Sequence, residues 1–413
     1  MEDLLTCCMG LDIHKDTIVA CLLVGETDKK PEREIRTFST LIPGMNELRK
    51  WVEETKCNHI AMESTGIYWQ PIYETLEDCF DSEIRLLVVN ARHMKNVPGK
   101  KTDMRDSEWI ATLLRAGLLN GSFIPAKEIR ELRHLTRYRK SIVYDVTSQK
   151  NRIEKFLQSS GFRLSSFISD IFGASGKNIL RHLISCGSMT IEALNTCLKT
   201  KTRKNINEIM VAVNGTLSLH QREFLKMMFN QLEQLEKHRK EVENSINSFI
   251  EQFSEAMSLL CSIPGIDIIA ASAIIAEIGV DMSKFPTSEH ICSWAGLAPG
   301  NNESAGKRKT ASITKGNPYI KSMLCEVSWV IAGKRNTYLS GWYWRIKQQK
   351  GAKRGIIALA RKNLVIIYTL LKFKHPFNES AFEQRKQKCQ QKRTSKLISE
   401  LTRLGYHVER TAI

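Results

Sequence analysis

Two runs of residues spaced alternately by three and four constrain this chain more than any other feature. The first is Leu132, Leu135, Arg139, Ile142, Val146, Gln149, Ile153 and Phe156. The second is Leu225, Met228, Leu232, Leu235, Arg239, Val242, Ile246 and Phe249. That spacing lays a seam along one side of a helix and is the signature of coiled-coil pairing. Two long helices are therefore expected, paired with each other or across a dimer. The polar seam residues Arg139, Gln149 and Arg239 weaken such a seam but help fix its register. Residues 161–220, between the runs, carry no clear pattern and are expected as an insertion at the tip of the arm.

The region before the arm reads as α/β. In residues 7–24, CCMGLDIHKDTIVACLLV, two apolar, β-branched runs flank the polar His14-Lys15-Asp16, so a strand, a tight turn and a second strand are expected. Residues 59–62 (HIAM) and 84–89 (IRLLVV) read as two more short buried strands, with a helix from Trp69 to Cys79 between them. A further helix is expected over 103–119, with Ile110, Leu113, Leu114 and Leu118 on one face. Strands alternating with helices point to a mixed sheet covered by helices.

After the arm, LCSIPGIDIIAASAIIAEIG reads as helix, Pro-Gly turn, helix, in the manner of a helix-hairpin-helix. There Gly265 would let the backbone approach a phosphate, and the second helix would offer its N-terminus to it. An ordinary helical hairpin fits the same residues. SWAGLAPGNNESAGKRKTASITKGNPYIK follows and is expected as a functional loop. From Arg345 to Lys362 there are seven basic residues and no acidic one, and the tail beyond Phe377 reads as a solvated helix. The divisions expected are 1–125, 126–256, 257–380 and 381–413.

Charge narrows the partner. The 413 residues carry 61 Lys and Arg against 44 Asp and Glu, a formal charge of +17. A surplus of that size favours an anionic partner, and DNA or RNA is the usual one. The 11 cysteines include no CxxC spacing, so neither a zinc site nor a disulfide framework is read. An odd cysteine count and an acidic MEDLL start lead us to expect a reducing cytoplasm. No apolar stretch reaches membrane-spanning length.

Four carboxylates stand where carboxylates are costly or mutually repulsive. Asp12 interrupts an apolar strand, where an ionised group needs a partner. Glu63 follows HIAM at a strand end. Asp103 and Asp106 are three apart at a helix start, so they share a face and repel unless a cation lies between them. Two strand-end carboxylates and a helical pair suffice for two Mg²⁺ (or Mn²⁺) ions acting on a phosphodiester. Singly, Asp103 would suit a helix N-terminus and Glu63 would cap the Ser-Thr-Gly turn. Asp12 is the hardest to explain otherwise.

The wording of these segments is specific. GLDIHKD, AMESTGIYW and KTDMRDSEWIATLLRAGL resemble the DEDD-type insertion-sequence transposases, recombinases guided by a bridge RNA. ELRHLTRYRKSIVYDVTSQKNRIEKFL resembles that family's helical linker. IPGIDIIAASAIIAEIG and SWAGLAPGNNESAGKRKTASITKGNPYIK resemble its C-terminal transposase domain. The resemblance covers most of residues 8–335. It implies an RNase H-like (RuvC-like) α/β first domain, a coiled-coil arm, and a mainly α C-terminal domain. It also implies metal ligation by Asp12, Glu63, Asp103 and Asp106, and a nucleophilic serine at Ser304. Ala305 departs from the Ser-Gly-Gly wording usual there, and Ser107 stands where Ala is commoner.

A serine hydroxyl is a weak nucleophile at its free pKa and needs a proton acceptor and cations around the phosphate. Lys307, Arg308, Lys309 and Lys315 offer the cations; no base is obvious nearby, so the carboxylate–metal site is expected to serve. Ser293 and Ser312 are competitors for the role, and a serine that merely bonds its own turn is the bland reading. The expected activity is Mg²⁺-dependent transesterification of donor and target DNA by a homo-oligomer, dimer or tetramer. The rivals are a metal-dependent endonuclease or junction resolvase that needs no Ser304, and a non-catalytic nucleic-acid-binding protein that needs no carboxylates.

Overall fold

The computed structural model describes residues 3–64, 66–79, 84–90, 106–199, 202–300, 302–304, 307–310, 312–335 and 337–406. The chain divides into two compact units, Met1–Ile124 and Pro125–Ile413.

The first unit runs β1 (Cys7–Ile13), β2 (Thr17–Val24), β3 (Glu32–Ser39), α1 (Ile42–Thr55), β4 (His59–Glu63), α2 (Trp69–Glu77), β5 (Arg85–Val89) and α3 (Asp106–Arg115). The strands form one mixed sheet in the order β3-β2-β1-β4-β5. β2 is antiparallel to β1 and β3, whereas β1, β4 and β5 are parallel. The turn expected at His14-Lys15-Asp16 is closed by His14 N–H donating to Thr17 O at 2.9 Å.

Alternation sorts the strand residues between two cores. Met9, Leu11, Ile60 and Met62 pack with Leu48, Trp51 and Ile72 on one face. Cys8, Cys21, Leu23, Ala61 and Val89 pack with Trp109, Ile110 and Leu113 on the other. Both faces are covered, so the central strands read as continuous apolar runs. Gly10 permits the closest approach between layers. A Cβ there would lie 2.2 Å from Ser107 O and 2.4 Å from Ala111 N, so only glycine lets α3 rest on β1.

β3 and α1 are additional to the elements expected. β3 is an edge strand with Phe38 as its buried side chain, and its charged outer positions hide the alternation. Two helices are shorter than expected. α2 stops at Glu77, and α3 stops at Arg115 before Gly117 turns the chain at φ +67°. Leu118 is consequently 40% exposed, and Leu119 takes the buried place. The expected start of α3 at residue 103 lies outside the described residues.

The second unit begins with the arm. α4 (Lys127–Ser159) packs against a second long helix, Leu219–Ile250. Tyr138 meets His238 at 2.9 Å, Arg139 Nε meets Glu243 Oε1 at 2.8 Å, and Gln149 Nε2 donates to Met228 O at 2.9 Å. Rising numbers on one helix meet falling numbers on the other, so the pair is antiparallel. The seam is therefore satisfied within one chain and does not itself call for a second copy. Near its ends the buried position shifts by one, to Thr136 beside Leu135 and Leu157 beside Phe156. That is the drift expected of 3.6 residues per turn against a 3.5 repeat.

The stretch expected as a tip insertion holds α5 (Ala174–Cys186), α6 (Ile191–Cys197) and α7 (Ile206–Ala212), followed by α8, the second arm helix (Leu219–Ile250). Phe162, Leu164, Ile179, Leu183, Leu194, Ile209 and Val213 are all buried there. α5 lies along α8 through Arg181–Glu233 at 2.7 Å and Lys177–Glu236. α6 and α7, of two turns each, are too short to show a period in sequence, which hid this part of the stretch.

The unit continues with α9 (Ser254–Cys261), α10 (Ile268–Ile278), α11 (Ser288–Trp294), β6 (Asn302–Ser304), β7 (Lys307–Thr310), α12 (Pro318–Gly333), α13 (Tyr338–Lys350), α14 (Ala352–Phe373) and α15 (Glu379–Arg403). α14 is central, with Leu359, Ala360, Asn363, Leu364 and Ile367 buried among α11, α12 and α13. α15 is the exposed helix expected of the tail. Among the described residues no helix is long and apolar enough to cross a membrane. Ten described cysteines are free thiols.

Candidate functional site

Register and parity place three of the four carboxylates. β1 and β4 pair in parallel through Leu11 and Met62. Asp12 and Glu63 each stand one residue further on, at the C-terminal ends of neighbouring strands about 4.8 Å apart. Asp12 shares the parity of Cys8 and Gly10, and Glu63 that of Ala61, so both belong to the face that α3 covers. α3 runs antiparallel to β1. Its C-terminal Arg115 is fixed at the start of β1, where Arg115 Nε donates to Asp3 Oδ2 at 2.6 Å and Leu4 N donates to Arg115 O at 2.8 Å. Asp106, its first residue, is thereby carried to the end of β1 where Asp12 stands. Asp12, Glu63 and Asp106 thus share one face and one end of the sheet. In parallel α/β sheets the carboxyl ends of strands are where ligands bind.

Glu108, the other acid in the first turn of α3, is engaged by Arg33 of β3 at 2.7 Å. Burial pushes the Cys8 thiol up to about 12 and the Cys21 thiol up to about 11, so both stay neutral beneath α3. Asp12 is 9% exposed, and His14 Nε2 lies 3.3 Å from its Oδ2. His14 was missed in sequence; its signal is the HKD turn two residues after Asp12. Asp103 lies outside the described residues. Among the described residues no three His, Cys, Asp or Glu side chains are placed to share one ion.

Ser304 ends β6, the first strand of a two-stranded hairpin, and is paired with Lys307 across its turn. Among its described residues, the segment expected as a loop pairs in antiparallel fashion at several positions. Pro299 bridges Ile313, Gly300 N donates to Ser312 O at 2.8 Å, and Thr314 N donates to Ala298 O at 3.1 Å. Lys307, Arg308 and Lys309 follow in β7, on the strand that returns from the turn. Lys315, further down, is exposed. Ser312 is exposed as well but lies in the neck, eight positions from Ser304.

Gly265 has a packing role that differs from the phosphate role expected. Its φ is +100°, and a Cβ there would lie 2.8 Å from Ile331 Cγ1 on α12. The close approach it allows is to an apolar helix. The N-terminus of α10 is also taken: Asp267 caps it, its Oδ1 accepting from Ala270 N at 2.7 Å. The cap engages one backbone amide of that first turn within the chain.

Two family models match the segments that carry these features. A transposase model for DEDD-type IS110 elements matches residues 9–161, and the model described as Transposase IS116/IS110/IS902 family matches residues 257–344. The chain belongs to the IS110-type transposase family. The first match holds the carboxylates and α4, the second the Ser304 hairpin. Helices α5 to α8 fall between them.

Relatives of this insertion-sequence transposase agree. It is 24% identical over 384 residues to a pilin gene-inverting protein of Moraxella bovis, covering 91% of this chain and 98% of that one. It is 25% identical over 177 residues to a probable family 20 transposase of Pseudomonas aeruginosa, 42% of this chain and 52% of the relative. The chain therefore spans about half the length of the Pseudomonas protein. It is also 29% identical over 114 residues to the transposase for insertion sequence element IS1111A of Coxiella burnetii, 27% of this chain and 31% of the relative.

Proposed function

We propose that this transposase cuts and rejoins DNA by transesterification at Ser304, with Mg²⁺ held by Asp12, Glu63, Asp103 and Asp106 and with a non-coding RNA as guide. The observation that carries the reading is that Asp12, Glu63 and Asp106 belong to one face and one end of one sheet. Their donors are all carboxylate oxygens, which suit a hard divalent cation, Mg²⁺ or Mn²⁺. The strand order β3-β2-β1-β4-β5 with β1, β4 and β5 parallel supports an RNase H-like (RuvC-like) reading of the sheet. When bound, the metal supplies a lowered pKa for an oxygen nucleophile and charge neutralisation at the leaving oxygen.

In this reading Ser304 Oγ gives up its proton and attacks phosphorus, and the proton lost there balances the one gained by the leaving oxygen. A serine–phosphate bond forms, the bond to the leaving sugar oxygen breaks, and that oxygen takes up a proton. Lys307, Arg308, Lys309 and Lys315 hold the phosphate charge. Rejoining reverses the step with a different strand end. The Moraxella relative is named for inverting a gene, an outcome that needs rejoining as well as cutting, and it aligns over nearly its whole length. The guide rests on family resemblance, and it accords with a chain in which no helix reads as a dedicated base-reading motif.

The test is to incubate purified protein with Mg²⁺, the flanking non-coding RNA and DNA bearing the element's ends, and to look for protein-linked DNA on a denaturing gel. An adduct with the wild type that disappears with Ser304→Ala supports the reading. Free cleaved DNA with no adduct in either protein returns the case to a metal-dependent nuclease.

A further inference from the structure

We propose that Glu277 is a positioning residue for Ser304, fixing the neck of the serine hairpin and tying it to helix α4 of the arm. The proposal rests on the serine reading above. Glu277 interrupts α10, IIAASAIIAEI, and is only 3% exposed. A carboxylate so placed must be paired. Arg137 of α4 grips it with both prongs, Nε to Oε1 at 2.7 Å and Nη2 to Oε2 at 2.9 Å. Arg133 Nε stands 3.6 Å from Oε2 and donates to Ala276 O at 2.9 Å, and Arg133 Nη2 donates to Glu277 O at 2.7 Å. Those carbonyls lie in the last turn of α10, where backbone acceptors lack helical partners. The Arg137 guanidinium also lies over the Tyr319 ring at 4.0 Å.

The third partner of Glu277 leads to the serine. Asn317 Nδ2 donates to Glu277 Oε2 at 2.6 Å. Asn317 Oδ1 caps α12 by accepting from Tyr319 N at 2.9 Å and Ile320 N at 3.3 Å, and Asn317 N donates to Trp294 O at 3.1 Å. One side chain therefore joins α10, α12 and the base of the hairpin. Directly above, the two hairpin legs cross at a pair of glycines: a Cβ on Gly316 would lie 2.1 Å from Gly296 N. Among the described residues the pairs beyond it are Thr314–Ala298, Ser312–Gly300 and Ser304–Lys307, with a register shift between Asn302 and Glu303. A tilt at Asn317 would reach the serine through these paired strands. A buried ion pair contributes little net stability compared with apolar packing, so orientation accounts better for Glu277 than stability does.

Asn317→Ser separates the two roles. Serine still caps a helix but is too short to reach Glu277. Arg137→Lys is the milder companion, keeping the charge and losing the two-pronged grip. Both would be made in the full chain and compared with wild type by melting temperature, hydrogen exchange, DNA affinity and single-turnover adduct formation. We expect unchanged DNA affinity and only a modest drop in melting temperature, because Glu277 keeps charged partners in both variants. Exchange at the Gly300, Thr314 and Asn317 amides should rise about tenfold, and the adduct rate constant should fall about 10- to 100-fold, the scale of a 1 Å misplacement. Unchanged exchange in the neck, or faster exchange with an unchanged adduct rate, overturns the proposal. Wild-type protein that cleaves without any adduct overturns the serine reading instead, and the exchange data would still report whether Glu277 holds the neck.

Discussion

Asp12 and Glu63 end strands inside a five-stranded sheet, whereas Ser304 ends one strand of an isolated hairpin. The carboxylates are held by register on two sides and by α3 above them, so their relative places follow from strand pairing. Ser304 has one strand partner, and its place follows from whatever anchors the base of the hairpin. One region locates its chemistry through many weak, distributed contacts. The other depends on a glycine crossing and one buried carboxylate. The two regions should therefore fail differently: damage to the sheet should unfold the first unit, and damage to the neck should misplace the serine in a folded protein.

Gly10→Ala should have the largest effect. Its Cβ would meet backbone at 2.2 Å, with no flexible side chain to yield. We expect a loss of about 3 kcal/mol or more, the upper range for overpacking, read as a lowered denaturation midpoint of the first unit. A normal midpoint would mean that α3 does not rest on β1 as described.

Gly296→Ala is the matching change in the hairpin. Its φ is +69°, and its Cβ would lie 2.7 Å from Gly316 N. The comparison predicts an adduct rate lower by about 100-fold with the arm still helical by circular dichroism. Global unfolding would erase the distinction between the two regions.

Ile153→Ala probes a third kind of support. Ile153 is fully buried in the arm seam, and its truncation should cost about 2–5 kcal/mol in denaturant unfolding. Because the seam is closed within one chain, the midpoint should not depend on protein concentration. A concentration-dependent midpoint would contradict intrachain pairing. Arg181→Ala, which breaks an exposed pair with Glu233, should cost under about 1 kcal/mol. A larger loss would show that α5 to α7 depend on that pair more than on their buried core.

Legibility followed the same division. β1, β2, β4 and β5 were readable because both their faces are buried, and Asp12 stood out against them. The arm was readable because its period runs unbroken for seven turns. β3 was obscured by its edge charges, and α6 and α7 by their shortness. The hairpin was taken for a loop because its Gly, Ser and Lys residues carry no alternation. Glu277 gave the same signal as Asp12, a lone acid in an apolar element. Its meaning lay in Arg137 and Asn317, which are distant in sequence and adjacent only in the fold. The Gly265 turn was legible as a place of close approach, but the neighbour on its packed side, Ile331, is distant in sequence and adjacent only in the fold.

The most direct test of the central claim is to trap the cleavage reaction, digest the protein and the DNA, and identify by mass spectrometry the residue that retains a nucleotide. The account predicts a phosphodiester-linked nucleotide on Ser304, absent when Asp12 is replaced by asparagine. A nucleotide on Ser293, Ser312 or any other residue, or cleavage that leaves no residue modified, would contradict it.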